Sequence, residues 1–346
     1  MIKLTRLLIG TYNHTPNSTG IGLCIAEFDS RTGDLQCAFA NSNLINPSYS
    51  AVGSDGIIYT VSEVIDGPGT VTAFIDKDQT LTPVWTANSN GRATCHLATH
   101  PSRDLIGITN YLEGTAMLLC ASNGKEIATY RYSGKGPNLK RQQSPHPHQV
   151  LFSPSGKWML INDLGCDKIW IHDCNKPENL APYSAIELPA GAGPRHSLFS
   201  EDGKDIYCIA ELDGRLYHGR WDEEYASCHW ASAQSVLPPE TKQAPHCSAI
   251  RMHPKLPLIY AVDRATETLS IFSKNPSGEI QRQSYYSTGG AGPRDLMIHP
   301  SGDWLLVACQ TSNAIVAHEL SPETGLPTSK IKVNQFGSPV SLLVID

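Results

Sequence analysis

The sequence has no C-x-x-C pair, no basic stripe, no low-complexity tract and no apolar run of membrane-spanning length. The first absence bears on ten cysteines, scattered singly and often inside apolar strands, as at Cys24, Cys208 and Cys309. Thiols so placed read as buried and reduced. That argues against a disulfide framework or a zinc site and for a cytoplasmic protein. Lys and Arg number 27 against 33 Asp and Glu, a formal net charge of −6, so nucleic acid is not an expected partner. The start, MIKLTRLLIG, has too short an apolar stretch for a secretory signal, and a membrane is not an expected partner either. Gly (28) and Pro (24) are plentiful and sit mostly between apolar runs, which is the pattern of turn-rich all-β structure.

One segment recurs six times: an apolar strand, a tight turn, and a second strand ending in a polar or charged residue. The copies are AVGSDGIIYTVSE, LATHPSRDLIGITNY, VLFSPSGKWMLINDL, SLFSEDGKDIYCIAE, IRMHPKLPLIYAVDR and LMIHPSGDWLLVACQ. Anchored on Ser54, Pro101, Pro154, Glu201, Pro254 and Pro300, they lie 47, 53, 47, 53 and 46 residues apart. A period near fifty with strand-type alternation predicts propeller blades rather than solenoid turns. The chain ends supply a seventh copy. GSPVSLLVID at the C-terminus resembles the first strand GPRDLMIHP, and the N-terminal RLLIGTYN resembles the strand that follows it. The expected fold is therefore all-β, one seven-bladed β-propeller domain over residues 1–346, closed by pairing of N- and C-terminal strands in a shared blade. A closed ring needs no partner for stability, so a monomer is expected.

In such a hairpin the start of the first strand and the end of the second lie on one face. Six residues before each anchor stand Ser48, Cys95, His148, Arg195, Ser248 and Arg294. At the ends of the second strands stand Glu63, Tyr111, Leu164, Glu211, Arg264 and Gln310. Asn110, Asp163 and Asp263 precede three of these, and His96, His196 and Asp295 follow three strand starts. Three arginines, several histidines and two glutamates on one face make that face the candidate active site. The opposite turns carry only hairpin residues.

Each residue also has a plainer reading. A single arginine here can bridge to an acid of the next blade, and His96 and His196 can be buried strand histidines. His146 and His246 are open in the same way. His14, His172, His229 and His318 read as surface residues, and His100, His253 and His299, before the turn prolines, as scaffold. No resident metal or cofactor is expected. Glu63, Asn110, Asp163 and Asp263 do offer oxygen ligands on one face, but arginines nearby oppose a cation. Ser48 and Ser248 lack a local nucleophile elbow, and no partner base is assigned to Cys95.

PHPHQVLFSPSGKWMLINDLGCDKI, GAGPRHSLFSEDGKDIYCIAEL, LIYAVDRATETLSIF and GAGPRDLMIHPSGDWLLVACQTSNAI resemble the lactonase family of seven-bladed propellers. That family includes bacterial 6-phosphogluconolactonases and fungal carboxy-cis,cis-muconate cyclases. The likeness runs through nearly the whole chain, with N-P-S-Y at Asn46–Tyr49 and G-S-P at Gly337–Pro339, and GAGPRH followed by Glu211–Leu212 is its most specific part. It implies a catalytic group of His148, Arg195, Glu211 and Arg264. Val262-Asp263-Arg264 and Ala308-Cys309-Gln310 stand where many relatives have S-N-R and A-N-Q, which keeps the arginine and glutamine and allows a different substrate.

The implied activity is hydrolysis of an anionic sugar δ-lactone, 6-phosphogluconolactone in the pentose phosphate route. Glu211 or His148 would be the general base and Arg195 would stabilise the oxyanion or hold the anionic tail. Arg294, Glu63, Asn110, Tyr111, His196 and Gln310 would contact substrate, with Arg264 and Arg294 suited to phosphate or carboxylate. The alternatives are lactone formation from a carboxylated muconate, and a propeller that only binds a ligand or protein.

Overall fold

The computed structural model describes residues 4–77 and 80–345; residues 1–3 of the chain start and Asp346 of the closing stretch lie outside them. Among the described residues the regular elements are 28 strands in seven four-stranded sheets. The first sheet takes β1 (Thr5–Thr11), β2 (Leu23–Asp29) and β3 (Asp34–Asn41). Next come β4 (Pro47–Val52), β5 (Ile58–Ser62), β6 (Thr70–Lys77) and β7 (Thr80–Asn88). The third is β8 (Thr94–Thr99), β9 (Leu105–Asn110), β10 (Thr115–Cys120) and β11 (Glu126–Arg131). The fourth is β12 (Pro147–Phe152), β13 (Trp158–Asp163), β14 (Lys168–Asp173) and β15 (Ser184–Glu187). The fifth is β16 (Pro194–Phe199), β17 (Asp205–Ala210), β18 (Arg215–Asp222) and β19 (Ser227–Ser235). The sixth is β20 (Cys247–Met252), β21 (Leu258–Asp263), β22 (Thr268–Lys274) and β23 (Ile280–Ser287). The seventh is β24 (Pro293–Ile298), β25 (Trp304–Cys309), β26 (Ala314–Leu320) and β27 (Pro327–Gln335). The last strand, β28 (Pro339–Val344), pairs antiparallel with β1, setting Ile9 opposite Leu342. The seven expected blades are present, and the two chain ends share one.

By packing, the chain falls into two compact units. One gathers the chain as far as Pro47, with Gly214–Leu216 and the chain from Ala233 onward; it holds the first, sixth and seventh sheets. The other, Ser48–Asp213 with Tyr217–Ser232, holds the second to fifth. Strands β9, β13, β17, β21 and β25 are buried at every position, whereas the outer β7 and β23 alternate largely between half-buried and exposed. An inner strand covered on both faces has no solvent side, so its sequence is an apolar run; an outer strand keeps one wet face.

Sheets stack face to face within each unit. In the first, Leu7, Ile9 and Phe28 pack against Trp304 and Leu306, with Trp304 edge-on to Phe28 at 5.7 Å. In the second, Tyr59, Val61 and Val71 meet Leu97, Ile106 and Ile108, and Ala116 and Leu118 meet Val150 and Ile161. The histidines before the turn prolines stitch these stacks, as expected of scaffold. His100 Nδ1 accepts the amides of Ser102 and Arg103, which leaves Nε2 to donate to Gly156 O in the next sheet's turn at 2.8 Å. His253 does the same with Lys255, Leu256 and Gly302 O. His172 and His318 are not surface residues: they are buried, His172 Nε2 on the Tyr132 hydroxyl at 2.9 Å and His318 Nε2 on Thr288 O at 3.0 Å. Both lie on third strands whose two faces are covered, where a polar residue in the pattern no longer marks solvent.

Candidate active site

The register residues share a local cause. Just after several first strands begin, pairing skips one residue. Thr94 faces Asn110 but His96 faces Thr109; Pro147 faces Asp163 but Gln149 faces Asn162. The same slip follows Pro194 and Pro293. The skipped residues are Cys95, His148, Arg195 and Arg294. Such a bulge takes a side chain out of the strand's alternation and re-aims it. Ala93, Gly193 and Gly292 adopt φ of +54°, +67° and +66° two residues before the bulge, a turn that glycine makes without strain. Where the re-aimed side chain is small it bonds to the next sheet's strand start: Ser48 Oγ to Thr94 O, Cys95 Sγ to His148 O, and Ser248 Oγ to Pro293 O. His148, Arg195 and Arg294 are long enough to project.

In the second unit one of these projections, Arg195, reaches Glu211. Its carboxylate is 2% exposed and forms two ion pairs: Oε2 with Arg195 Nε at 3.0 Å, and Oε1 with Arg141 Nη2 at 2.6 Å. Arg195 is buried with it, while the Arg141 side chain is 35% exposed. Arg195 Nη1 lies 3.3 Å from His196 Nε2, and because a guanidinium can only donate, that nitrogen is the acceptor and His196 carries its proton on Nδ1. Arg141 Nη2 also donates to the Tyr111 hydroxyl at 3.3 Å. Burial raises the Tyr111 pKa despite Arg141, so the phenol stays protonated. For Arg141 burial opposes the charge, but Glu211 and Tyr111 outweigh it and lift its pKa above the ordinary arginine value.

Beside this clamp lies a group of rings. His148 is edge-on to Tyr111 at 5.7 Å and to His196 at 5.2 Å. His196 is edge-on to His96 at 5.5 Å, and His96 stacks on Tyr49 at 3.9 Å. Tyr111 stacks on His146 at 4.5 Å, and His146 Nδ1 meets Tyr111 O at 2.9 Å. His148, Arg195, Glu211, Tyr111 and His196 therefore come together as one cluster, with His96 behind.

Other register residues do different work. Asn110 is fully buried and committed: Nδ2 donates to Ser89 O and Thr115 Oγ1, and Oδ1 accepts from Thr94 Oγ1. It locks a sheet and is no longer a substrate contact. Asp163 Oδ1 accepts the amides of His146 and Gly165 and Oδ2 accepts the Trp170 indole; Asp263 takes the His246 and Thr266 amides. Both fix strand starts, which removes them from a metal ligand set. Glu63 follows β5, half-buried. Arg264, Arg294 and Gln310 belong to the first unit. There Arg264 Nε donates to His246 O at 3.2 Å, and Arg294 lies over the Tyr12 ring at 4.9 Å and donates to its hydroxyl. Gln310 N donates to Gly292 O, which leaves its side chain at the strand end.

Arg141 and Tyr49 were not among the expected site residues. Arg141 sits in the connection between β11 and β12, where no period exists to read; the length of that connection was the available signal, since long ordered loops in compact folds are commonly functional.

The sequence matches the family model described as Lactonase, 7-bladed beta-propeller, over residues 6–344. A 6-phosphogluconolactonase of Bacillus subtilis is 26% identical over 324 residues, covering 92% of this chain and 91% of that protein. Another, from Formosa agariphila, is 28% identical over 340 residues, with 92% and 93% covered. A crystal structure of a Bacteroides fragilis protein, 27% identical, superposes with a TM-score of 0.87 over 99% of this chain and 98% of that one.

Proposed function

The chain belongs to the lactonase family of seven-bladed β-propellers, and on that footing we propose that it hydrolyses a sugar δ-lactone, 6-phosphogluconolactone above others. The observation that carries the reading is the Glu211 carboxylate held between Arg195 and Arg141 beside His148. A carboxylate engaged by two guanidinium groups has both oxygens committed, so His148 is the better base for the attacking water. Arg195, held by Glu211, is the donor for the oxyanion that forms when water adds to the lactone carbonyl. The ring C–O bond then breaks, and the proton His148 took from water goes to the departing ring oxygen, giving the open hydroxy acid. The resemblance also implies a catalytic role for Arg264, and a role in substrate contact for Arg294, Glu63, His196 and Gln310 is part of the same proposal. Ten cysteines, most of them buried thiols, support a reducing, cytoplasmic setting.

The test is hydrolysis of freshly generated 6-phosphogluconolactone and of gluconolactone, corrected for spontaneous opening, by the wild type, His148→Asn and Glu211→Gln. Preference for the phosphorylated lactone, with kcat reduced about 10²-fold or more in His148→Asn, supports the reading. Full turnover in His148→Asn would discard the base, and no turnover of either lactone by the wild type would discard the substrate class.

A further inference from the structure

We propose that Arg141 is the residue that reads the substrate's anionic tail, forming with Tyr111 an anion subsite delivered by the loop between β11 and β12. The proposal rests on the lactonase reading for the identity of the tail, which there is a phosphate monoester.

The loop is built to hold one side chain in place. Asn138 opens a tight turn: its carbonyl accepts the amides of Arg141 and Gln142 at 3.1 and 2.7 Å, and its Oδ1 accepts those of Lys140 and Arg141. Gln142 is fully buried and anchors the turn from below, with Nε2 donating to Leu164 O at 2.9 Å and to Asp167 Oδ1 at 2.6 Å. Its Oε1 accepts the Asn138 amide and its carbonyl the Gly136 amide. Asp167 is shared. It also accepts the amides of Gly191 and Gly193, both at 2.7 Å, in the segment that leads into Arg195. One buried carboxylate thus fixes both arginine-bearing segments relative to each other.

Arg141 is only partly spent by its contacts. A guanidinium carries five N–H groups. The hydrogen bonds its side chain makes among the described residues, to Glu211 and Tyr111, both run from Nη2. Nε and Nη1 remain on a side chain that is one-third exposed, beside a buried Glu211. Arg195 is different, being buried against Glu211 and His196. An arginine gripped on one side and open on the other is oriented before the ligand arrives, and its planar fork suits the oxygens of a phosphate. The tail of a lactone whose carbonyl faces Arg195 would meet Arg141 across Glu211, so the two arginines divide the work: one for the reacting oxygen, the other for the fixed charge.

The experiment compares the wild type with Arg141→Ala, Arg141→Lys and Lys140→Ala, an exposed neighbour. Turnover of 6-phosphogluconolactone and gluconolactone is measured, and calorimetry reads binding of 6-phosphogluconate, gluconate and inorganic phosphate. In Arg141→Ala, kcat/KM for the phosphorylated lactone is expected to fall about 10- to 100-fold, mainly through KM, the scale of one lost charged hydrogen-bond pair. Turnover of gluconolactone falls less than about 3-fold, Arg141→Lys recovers part of the loss, and Lys140→Ala matches the wild type. Equal losses for both lactones would overturn the proposal, because Arg141 would then act only through Glu211. Should the wild type turn over neither lactone, the lactonase reading fails. The subsite is then judged by calorimetry: phosphate compounds bound by the wild type and not by Arg141→Ala uphold it, and equal binding by both overturns it.

Discussion

Replacing Glu211 by glutamine tests the clamp most directly, because a glutamine fits the space and cannot do the job. Glu211 forms ion pairs with two guanidinium groups through two different oxygens. An amide has one oxygen and one NH2, so one arginine must face a donor. The buried arm has no route to water, and Arg195 will keep the oxygen; Arg141, one-third exposed, will be turned toward solvent. The cost is the charge on the Arg195 arm together with most of the Arg141 arm, about 2 kcal/mol in all. Arg141→Ala alone should cost less, about 0.5–1 kcal/mol, since an exposed partner gives up a screened pair. The two losses must not add. Once Glu211 is glutamine, Arg141 has little left to lose, and the double variant should be as stable as Glu211→Gln, a coupling of about 0.5–1 kcal/mol. Urea unfolding of the four proteins at neutral pH measures this. Strict additivity, or a Glu211→Gln variant as stable as the wild type, would refute the clamp and with it the choice of His148 as base.

Two further outcomes are expected. Acid should destabilise the fold through histidines buried in neutral form. Burial depresses His172 from 6.5 to about 4 and lowers His100, His253 and His318 in the same direction. A depressed pKa means that the unfolded chain takes up the proton first, so this stability is complete above about pH 6.5 and is lost as pH falls toward 4. At pH 5 the His172 share is about 2 kcal/mol, and His172→Phe should remove that part of the slope in urea unfolding at pH 7.5 and 5; an unchanged slope would contradict it. Asp167→Ala frees the amides of Gly191 and Gly193 and the Gln142 side chain together. Amide exchange should quicken at 138–142 and 191–193 in the same variant, with kcat lowered for phosphorylated and plain lactone alike; exchange altered at one segment alone would mean that Asp167 is no joint.

The repeat was legible because the fold writes one hairpin seven times, and a bulge at the start of several first strands re-aims the residue at the same register position. That is why Arg195, His148 and Glu211 could be grouped from spacing before any contact was known. Spacing does not say which way a polar group turns once it is there. Asn110 and Glu211 hold neighbouring positions of the same register, yet Asn110 bonds inward to Ser89, Thr94 and Thr115 while Glu211 faces two arginines. The difference lies in what the adjacent strand offers: Thr94 and Thr115 present hydroxyls to Asn110, and no strand periodicity records that. His172 was misread for a related reason. Alternation marks solvent only when a strand has a wet face, and β14 buries His172 against Tyr132. Arg141 escaped altogether because it acts from outside the repeat. A propeller's blades constrain one another and vary little in geometry, so a residue that must meet a particular substrate is better carried on a connection that no neighbouring blade dictates. The connection between β11 and β12 is therefore the place where specificity has most room to be written, and Arg141, anchored through Gln142 and Asp167, is how this chain uses it.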